Sequence, residues 1–435
     1  MTFGHFTQPC FLCTHPNHPI FHTMNKKTHR LGTFLMTWKV LFLCLPLQMA
    51  LTACSDEETA IPRTPVPTNN KAELVTDEDK RAMIYSLVDL EGNKGRIYEM
   101  NYTVDYKLED ALNYEIDGTT KLQQFAVACL MDKRTKPSQN TKITYDAGCS
   151  AFACPDITTG DFLMGRNFDF NHIDQDTKER RMIPVIAVHT APPGGKKSVS
   201  FVDGQFVGYD SGFYNDGKSD LSMLMAVPYL LLDGINEDGF AVCVLKLDGL
   251  NTEQEDEGKK KIFTTVAMRM LLDKASNVQE AMDLLEKYNM TADKVKANYH
   301  FFMADAKGDF AIVEYTDADI TKHPNTMERL QKNDTLRCVT NFYVSPTMAN
   351  TKHGINQSEH GMARYKTLRE NLLKFDYKLT SPLAMWLLSQ VAQGPENPEL
   401  STGFTQWSEI YNLTRKTVTM SILREYNHAF TFQIE

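Results

Sequence analysis

Apolar residues recur along most of the chain with the two spacings that distinguish helices from strands. Spacings of three and four residues predict helices, whereas alternating or continuous apolar runs between turn residues predict strands. The predicted helices lie at residues 76–88, 122–131, 263–275, 277–288, 360–373 and 381–392. The predicted strands lie at residues 184–189, 199–207, 221–231, 241–247, 299–305, 310–315, 405–412, 417–423 and 429–434. The chain after residue 180 therefore runs from strands to helices and back to strands.

Turn and cap residues set some of these boundaries. Thr76 precedes three acidic residues and is expected to cap the first helix, and Asn277 is placed to cap the fourth. Residues 232–240 hold two glycines and predict a turn that leads into the strand at 241–247. Residues 306–309 predict the turn of a hairpin.

The stretch at residues 146–170 combines a hairpin pattern with reactive side chains. One predicted strand starts at Gly148 and Cys149, a turn follows at residues 158–161, and a second strand ends in Gly-Arg-Asn-Phe-Asp at residues 165–169. A hairpin of this kind would bring Arg166 and Asp169 close to Cys149. The sequence thus predicts a thiol beside a cation and a carboxylate.

These motifs resemble the linear amide C–N hydrolases of the choloylglycine hydrolase superfamily. Gly-Cys-Ser at 148–150 and Gly-Arg-Asn-Phe-Asp at 165–169 are followed in order by Gly-Ile-Asn-Glu at 234–237, Thr-Asn at 340–341 and Thr-Gln-Trp-Ser at 405–408. The superfamily consists of N-terminal-nucleophile (Ntn) cysteine enzymes, among them bile-salt hydrolase, penicillin V acylase, acid ceramidase and N-acylethanolamine acid amidase. The resemblance implies an α+β fold, a four-layer αββα sandwich, over residues 149–435.

The resemblance also implies roles for individual residues. Cys149 would be the nucleophile, and cleavage of the Gly148–Cys149 bond would free its α-amine to act as the base. An α-amine has a reference pKa of about 7.7–8.0, which suits a base near neutral pH. Arg166 would favour the thiolate, and Asp169 would orient the amine. The alternative for these two is a buried ion pair that stabilises the hairpin.

Two further positions match the family after residue 330. Asn341 corresponds to a donor for the oxyanion, or else it caps a turn. Arg364 corresponds to an active-site arginine at a helix start, with Arg369 as the rival position. Cys154 is interpreted as a core thiol. Lys246 matches neither the asparagine of the bile-salt branch nor the tyrosine of the penicillin V branch, and it is expected to point to solvent from an edge strand.

The N-terminal part indicates export. Residues 24–54 have a basic start, an apolar stretch too short to span a membrane comfortably, and Leu-Thr-Ala-Cys at 51–54. This resembles a lipoprotein signal with Cys54 as the lipidated residue; the alternative is an ordinary cleaved signal. Residues 1–23 hold a cysteine and histidine cluster that could bind zinc, but this segment is more simply explained by translation from Met24. The predicted location is the bacterial envelope, in the outer membrane, facing the periplasm or the surface.

Between the signal and Cys149, residues 55–75 predict a proline-rich tether and residues 76–148 a folded leader. A folded leader resembles acid ceramidase and the acid amidase, in which the leader remains as a subunit, whereas bile-salt hydrolases lose only a methionine or a short peptide.

Composition excludes some classes of binding partner. The net charge of −9 argues against nucleic acid, and the chain has neither of the common nucleotide-binding motifs, so no cofactor and no metal is predicted for the enzyme. Five cysteines follow the signal, an odd number, so at least one thiol is free or paired between chains. A homo-oligomer is possible.

Three functions remain open from the sequence. The first is an autoprocessed amidase for lipophilic N-acyl amides such as N-acylethanolamines, N-acyl amino acids or conjugated bile acids, or penicillin V. The second is an acyltransferase with the same site. The third is a lipoprotein that binds hydrophobic ligands without catalysis. Tyr209, Phe213, Tyr214 and Tyr229 could line an acyl site, or they could belong to an ordinary core.

Overall fold

A computed structural model gives the three-dimensional structure, and it describes residues 68–133, 147–174, 176–249, 251–292, 298–317, 326–331, 333–394 and 403–434. All of these residues belong to a single compact unit. The signal, Cys54, the zinc alternative and most of the tether lie outside the described residues.

The described chain contains seven α-helices and seventeen strands. The α-helices are α1 (Glu78–Tyr85), α2 (Leu108–Asn113), α3 (Thr119–Phe125), α4 (Thr264–Lys274), α5 (Val278–Leu285), α6 (Met362–Lys374) and α7 (Ser381–Gln390). The strands are β1 (Val88–Asp89), β2 (Ile97–Tyr102), β3 (Ala147–Pro155), β4 (Phe162–Phe170), β5 (Val185–Thr190), β6 (Ser198–Asp203), β7 (Leu231–Asn236), β8 (Ala241–Leu247), β9 (Lys260–Phe263), β10 (Tyr288–Thr291), β11 (Asn298–Ala304), β12 (Phe310–Thr316), β13 (Thr326–Gln331), β14 (Cys338–Val339), β15 (Thr405–Asn412), β16 (Thr417–Ile422) and β17 (Phe430–Gln433).

Two large sheets form the centre of the unit. One has nine strands in the order β1-β2-β5-β6-β7-β8-β11-β12-β13, and the other has six in the order β14-β3-β4-β15-β16-β17. Helices α4 and α5 pack on the nine-stranded sheet, and α6 and α7 pack on the six-stranded sheet. The two sheets face each other, so the predicted α+β class and its four-layer αββα arrangement are confirmed.

Strands β3 and β4 are buried along nearly their whole length, which their small and apolar residues allow, while the turn between them is exposed. The turn is fixed by Asp156, whose carboxylate accepts hydrogen bonds from the main-chain N–H groups of Thr158 (2.8 Å) and Thr159 (3.1 Å). Gly160 completes the turn with a φ of +76°, a conformation that favours glycine. The hairpin therefore forms at the residues that the sequence predicted.

The register of this hairpin separates its side chains between two faces. Cys149 lies opposite Phe168, and Ala151 lies opposite Arg166. Directly opposed residues project to the same face and neighbours along a strand to opposite faces. Cys149 and Arg166 therefore point toward the nine-stranded sheet, whereas Asp169 points toward α6 and α7.

The leader is built into the body. Strand β2 pairs in parallel with β5, from Ile97 opposite Val185 to Tyr102 opposite Thr190. The aromatic residues predicted as either acyl site or core pack here: Tyr98 meets Phe213 with ring centroids 5.1 Å apart, and Tyr229 donates a hydrogen bond to the carbonyl of Tyr106 (2.6 Å). They are core residues at the junction between leader and body.

Some sequence predictions were wrong in detail. Residues 221–231 were predicted as a strand, but Leu221–Tyr229 is a 3₁₀ helix, capped by Asp220 and buried on nearly all sides. A short, wholly apolar segment has no periodicity that separates strand from helix. The first helix is capped by Asp77 rather than Thr76, since Asp77 accepts the N–H of Lys80.

Two further predictions were wrong, and both concern the β7–β8 hairpin, which includes Lys246. Residues 231–236 form β7 instead of part of a turn, and Lys246 lies on β8, which is an inner strand between β7 and β11. Its ammonium is mostly buried and pairs with Asp248 at 3.2 Å. The expectation of an edge strand was wrong because strand order is set by distant pairings, here with Tyr299.

None of the helices in the described ranges is long and apolar enough to cross a membrane.

The junction between leader and body yields a first prediction. The Tyr106 hydroxyl donates to Asp273 (2.7 Å), and Arg269 lies over the Tyr106 ring with its guanidinium carbon 5.4 Å from the centroid. Tyr106→Phe removes a hydrogen bond to a buried carboxylate, so we expect the free energy of unfolding to fall by about 1.5–3 kcal/mol. Chemical denaturation would measure this, with Tyr114→Phe at an exposed position as the control; equal stability of the two variants would contradict it.

Candidate active site

Cys149 lies near the start of β3 and is 2% exposed. Its main-chain N–H donates to Oδ1 of Asn341 at 2.7 Å. The side-chain amide of Asn341 in turn donates through Nδ2 to the carbonyl of Lys246 at 2.8 Å. An asparagine from a distant loop therefore holds the nitrogen that cleavage before Cys149 would turn into an α-amine.

Arg364 joins this arrangement from the first turn of α6. Its guanidinium donates to Asn341 Oδ1 (2.7 Å), to Ser150 Oγ (2.9 Å) and to the carbonyl of Cys149. The Asp169 carboxylate lies 3.6 Å away. Burial lowers the pKa of Arg364, and the charge of Asp169 opposes that effect. The rival position, Arg369, is exposed on the outer side of α6.

Arg166 lies on the same face of the hairpin as the Cys149 thiol, opposite to the face that Arg364 contacts. It is fully buried, and its Nε lies 3.1 Å from Asp233 Oδ2 while Nη2 donates to the carbonyl of Val244 at 3.0 Å. Burial opposes its charge, but the Cys149 and Cys243 thiols and Asp233 raise the pKa of Arg166 above its ordinary value. The alternative of an Arg166–Asp169 ion pair is wrong, because the two side chains leave the strand on opposite faces.

Asp233 belongs to a buried acidic cluster behind Arg166. The Tyr411 hydroxyl lies 3.2 Å from Asp233 Oδ1 and 2.8 Å from Glu409 Oε2, and the Trp407 indole N–H donates to Asp233 Oδ2 (3.3 Å). Burial and then repulsion from Asp233 raise the pKa of Glu409 well above its usual range. The two carboxyl groups therefore carry one negative charge between them. That charge lies on Asp233, which faces Arg166, while Glu409 keeps its proton.

Asp169 is held on the helix side of the hairpin. Its carboxylate accepts hydrogen bonds from Gln393 Nε2 (2.7 Å) and Thr405 Oγ1 (2.6 Å). Burial raises the pKa of Asp169, and the charge of Arg364 and these two hydrogen bonds oppose it. A side chain on Gly148 would collide with this group, because an added Cβ would lie 2.0 Å from Gln393 Nε2. Gly148 is thus required by the packing around Asp169.

An apolar cavity of about 50 Å³ lies between strands β7, β8 and β11 and the start of α4. Its lining includes Phe206, Leu230, Leu232, Val244 and Phe263 from the body and Thr119 from the leader. The cavity is adjacent to the nucleophile's surroundings, because the carbonyl of Val244 accepts the hydrogen bond from Arg166. Tyr209, Phe213, Tyr214 and Tyr229 are not among its walls.

The structure brings all the sequence-predicted residues of the body, Cys149, Arg166, Asp169, Asn341 and Arg364, into one buried cluster, with Gly148 beside them. Cys154 lies apart in the core, where burial raises the pKa of its thiol to about 12. Among the described residues, Cys149, Cys154, Cys243 and Cys338 are buried and form no disulfide. Among the described residues no cluster of three His, Cys, Asp or Glu side chains could hold a metal ion.

Sequence reasoning missed Asp233, Gln393 and Glu409. Asp233 immediately precedes the Gly-Ile-Asn-Glu motif, and Glu409 immediately follows Thr-Gln-Trp-Ser, so their proximity to matched motifs was the available signal. Gln393 had none, because it follows α7 in a segment without a motif.

Comparison with known proteins assigns the chain to a family. A model of the family described as acyl-coenzyme A:6-aminopenicillanic acid acyl-transferase matches residues 158–386, more than half of the chain. The match starts after Cys149 and includes the other four predicted residues. The predicted membership among the Ntn hydrolases is therefore confirmed. A search of curated protein sequences found no match.

Solved structures similar to the chain include two hydrolases. A mutant of conjugated bile acid hydrolase from Clostridium perfringens is 15% identical with a TM-score of 0.42, over 66% of this chain and 92% of that one. Penicillin V acylase from Agrobacterium tumefaciens is 17% identical with a TM-score of 0.38, over 63% of this chain and 83% of that one.

The close approach of Gly148 to Gln393 predicts the effect of Gly148→Ala. The added methyl group would displace Gln393 from Asp169, so we expect any cleavage at residue 148 to slow by on the order of tenfold or more. A time course of intact mass measures this. Gln393→Ala and the double variant serve as controls: if Gln393 transmits the effect, the double variant should cleave no more slowly than Gln393→Ala. Additive losses would contradict this explanation.

The raised pKa of Glu409 predicts a pH dependence of stability. The folded chain keeps the Glu409 proton above pH 4.5, the ordinary pKa, where the unfolded chain releases it. Stability is therefore lost as pH rises from there toward the folded pKa, by about 1.4 kcal/mol for each pKa unit.

Glu409→Gln cannot lose this proton, so its unfolding free energy should fall less than that of the parent as the pH rises above 4.5. Denaturation in a Cys149→Ala background measures the difference. Glu425→Gln is the control, because Arg96 lowers the pKa of Glu425. Parallel curves for parent and Glu409→Gln would contradict the assignment.

Proposed function

The chain belongs to the family of acyl-coenzyme A:6-aminopenicillanic acid acyl-transferases, and we propose that it is an autoprocessed N-terminal-cysteine amidase. Its substrates would be lipophilic N-acyl amides, which it hydrolyses at a linear amide bond through a thioester. The observation that carries the proposal is the 2.7 Å hydrogen bond from the Cys149 nitrogen to Asn341 Oδ1. That contact fixes the atom that must become the base.

Processing would begin at the bond before Cys149. The Cys149 sulfur attacks the carbonyl carbon of Gly148, the C–N bond breaks as the Cys149 nitrogen takes a proton, and a thioester links Gly148 to the sulfur. Water then cleaves the thioester, releasing the Gly148 carboxylate, the thiol and a free α-amine. Arg364, which donates to the Cys149 carbonyl, keeps the new N-terminus in place.

Substrate hydrolysis would repeat the same chemistry on an external amide. The α-amine takes the proton of the thiol, and Arg166 favours the thiolate by its charge. The sulfur attacks the substrate carbonyl, and the second N–H of Asn341 Nδ2 donates to the oxyanion. The amine product leaves with the proton, and water releases the acid from the thioester.

The apolar cavity supports an acyl group as the part of the substrate that the site takes up. Its wall includes Val244, whose carbonyl accepts a hydrogen bond from Arg166, and most of the other lining residues are aliphatic or aromatic. Such walls favour a hydrocarbon chain over a charged group. A volume of about 50 Å³ would hold only the first carbons of an acyl chain. N-Acylethanolamines, N-acyl amino acids and conjugated bile acids all present an apolar acyl part.

Removal of the strand ahead of Cys149 would open the site. Ala147 and Gly148 pair with Phe170 and Asp169 in the hairpin, directly before the nucleophile. After cleavage these residues form a free chain end that can withdraw. The leader itself would stay bound through β2 and Tyr106, and we propose that Cys54 anchors the whole to an envelope membrane.

Acyl transfer is the second candidate, and the name of the matched family favours it. The first half of the reaction is identical, but an amine instead of water takes the acyl group from the thioester. A non-catalytic lipoprotein that binds hydrophobic ligands is the third candidate, and it predicts a chain that stays intact.

The test is the intact mass of the purified chain from Ser55 onward at mildly acidic and neutral pH. We expect two pieces that meet at Gly148 and Cys149, and a single piece for Cys149→Ala. Cys154→Ala is the matched control and should cleave like the parent, because its thiol lies in the core. A parent chain that stays whole would overturn the proposal in favour of ligand binding.

Cleaved protein would then be incubated with the three classes of N-acyl amide. Release of the free acid supports the amidase, whereas formation of a new amide in the presence of added amine supports the transferase. Cys149→Ala should form neither product.

A further inference from the structure

A buried histidine and glutamate lie behind the loop that carries Asn341. His300 on β11 and Glu314 on β12 are both without exposed surface, and His300 Nδ1 lies 3.1 Å from Glu314 Oε1. Neither residue belongs to a motif that the sequence reasoning used. Neither contacts Cys149, so the reaction described above gives them no part.

Apart from each other, the two side chains have their described hydrogen-bond partners in residues 340–345, here called the Asn341 loop. His300 Nε2 lies 2.8 Å from the carbonyl oxygen of Thr340. The Glu314 carboxylate accepts the N–H of Val344 at 2.9 Å and the N–H of Ser345 at 3.0 Å. The pair therefore holds the loop on both sides of Asn341.

The hydrogen-bond inventory shows why these residue types are needed. A carbonyl oxygen only accepts, so His300 Nε2 must carry a proton. His300 Nδ1 faces a carboxylate that already accepts two main-chain N–H groups, so one proton must also lie between Nδ1 and Glu314. A glutamine at position 314 would have a single acceptor oxygen for three donors, namely His300 Nδ1 and the N–H groups of Val344 and Ser345. Its NH₂ group would face one of these donors and could not accept its hydrogen bond.

The same loop is tied to the helix that carries Arg364. Thr340 Oγ1 donates to the carbonyl of Gly361 at 3.0 Å, and Gly361 caps α6 with a φ of +77°. An added Cβ on Gly361 would lie 2.6 Å from Thr340 Oγ1. A shift of the Asn341 loop would therefore also displace the start of α6, which carries Arg364.

We propose that His300 and Glu314 are positioning residues that hold the Asn341 loop so that Asn341 Oδ1 meets the Cys149 nitrogen. The inference rests on the proposed function, because it assigns the pair a role in both self-cleavage and substrate turnover. The pair acts through Asn341 and touches neither nucleophile nor substrate. An ordinary core pair would stabilise the fold without controlling this one contact.

The first experiment does not require catalysis. Hydrogen exchange followed by mass spectrometry would compare Cys149→Ala with Cys149→Ala/Glu314→Gln. We expect the main-chain amides at position 149 and at residues 344 and 345 to exchange on the order of tenfold faster or more in the second variant, because their acceptors are lost or displaced. Exchange in β5 should be unchanged. Unchanged protection at position 149 would overturn the proposal.

A matched control is the other His–Glu pair between neighbouring strands. His189 Nε2 lies 3.0 Å from Glu99 Oε1, on β5 and β2, away from the Asn341 loop. His189→Gln in the same background should leave exchange at position 149 unchanged. Faster exchange there in His189→Gln would show that the loss of any His–Glu pair between strands has the effect, and it would also overturn the proposal.

The second experiment measures rates in the cleavable chain, at temperatures well below each variant's melting temperature. Glu314→Gln should slow self-cleavage and lower kcat by on the order of tenfold, with KM changed little because the substrate walls are untouched. A lower melting temperature with parental cleavage and turnover would reduce the pair to a structural role. If the parent neither cleaves nor hydrolyses, the proposed function fails, while the exchange experiment still decides whether the pair positions Asn341.

Discussion

The centre of this protein depends on the cost of removing charged groups from water. Arg166, Arg364 and Asp169 are each at most 1% exposed. A buried charge without a partner costs several kcal/mol, so each of the three must be matched by an opposite charge or by several hydrogen bonds. The partners come from β7, α6, the segment after α7, and β15. Satisfying these charges therefore fixes elements that are distant in sequence relative to the β3–β4 hairpin.

The hairpin divides the site into a thiol side and an amine side. Arg166 and its acidic cluster stand on the side of the thiol, where a cation favours the thiolate. Asp169, Arg364 and Asn341 stand around the main chain of residue 149. Because neighbouring residues of a strand project to opposite faces, one nine-residue strand can serve both purposes. The nucleophile and its base, which belong to the same residue, thus receive separate surroundings.

The contacts that would support catalysis are already formed with the peptide bond before Cys149 present. The Cys149 nitrogen, its carbonyl and the Ser150 hydroxyl each have a partner among Asn341 and Arg364. Binding groups that need no rearrangement lower the cost of reaching a reactive geometry. The requirement for Gly148 follows from the same packing, since Gln393 occupies the space a side chain would need. The leader completes the nine-stranded sheet, so cleavage of the chain would leave its main attachment intact.

From local patterns the hairpin and most helices could be predicted, because periodicity and turn signals are local properties. Through the motifs that resemble a known family, the five residues Cys149, Arg166, Asp169, Asn341 and Arg364 could be predicted as well. The pairing of the charges could not. It depends on the strand register and on the order of strands in the sheet, both of which are set by contacts between distant residues.

For this reason the tertiary structure alone decided that Arg166 pairs with Asp233 and that Asp169 faces Arg364. Tertiary contacts also place Lys246 on an inner strand and make residues 221–229 a 3₁₀ helix. Gln393, Glu409, His300 and Glu314 became visible for the same reason. Each is an ordinary polar residue in the sequence, and its importance comes from burial beside a group that needs its hydrogen bond or its charge.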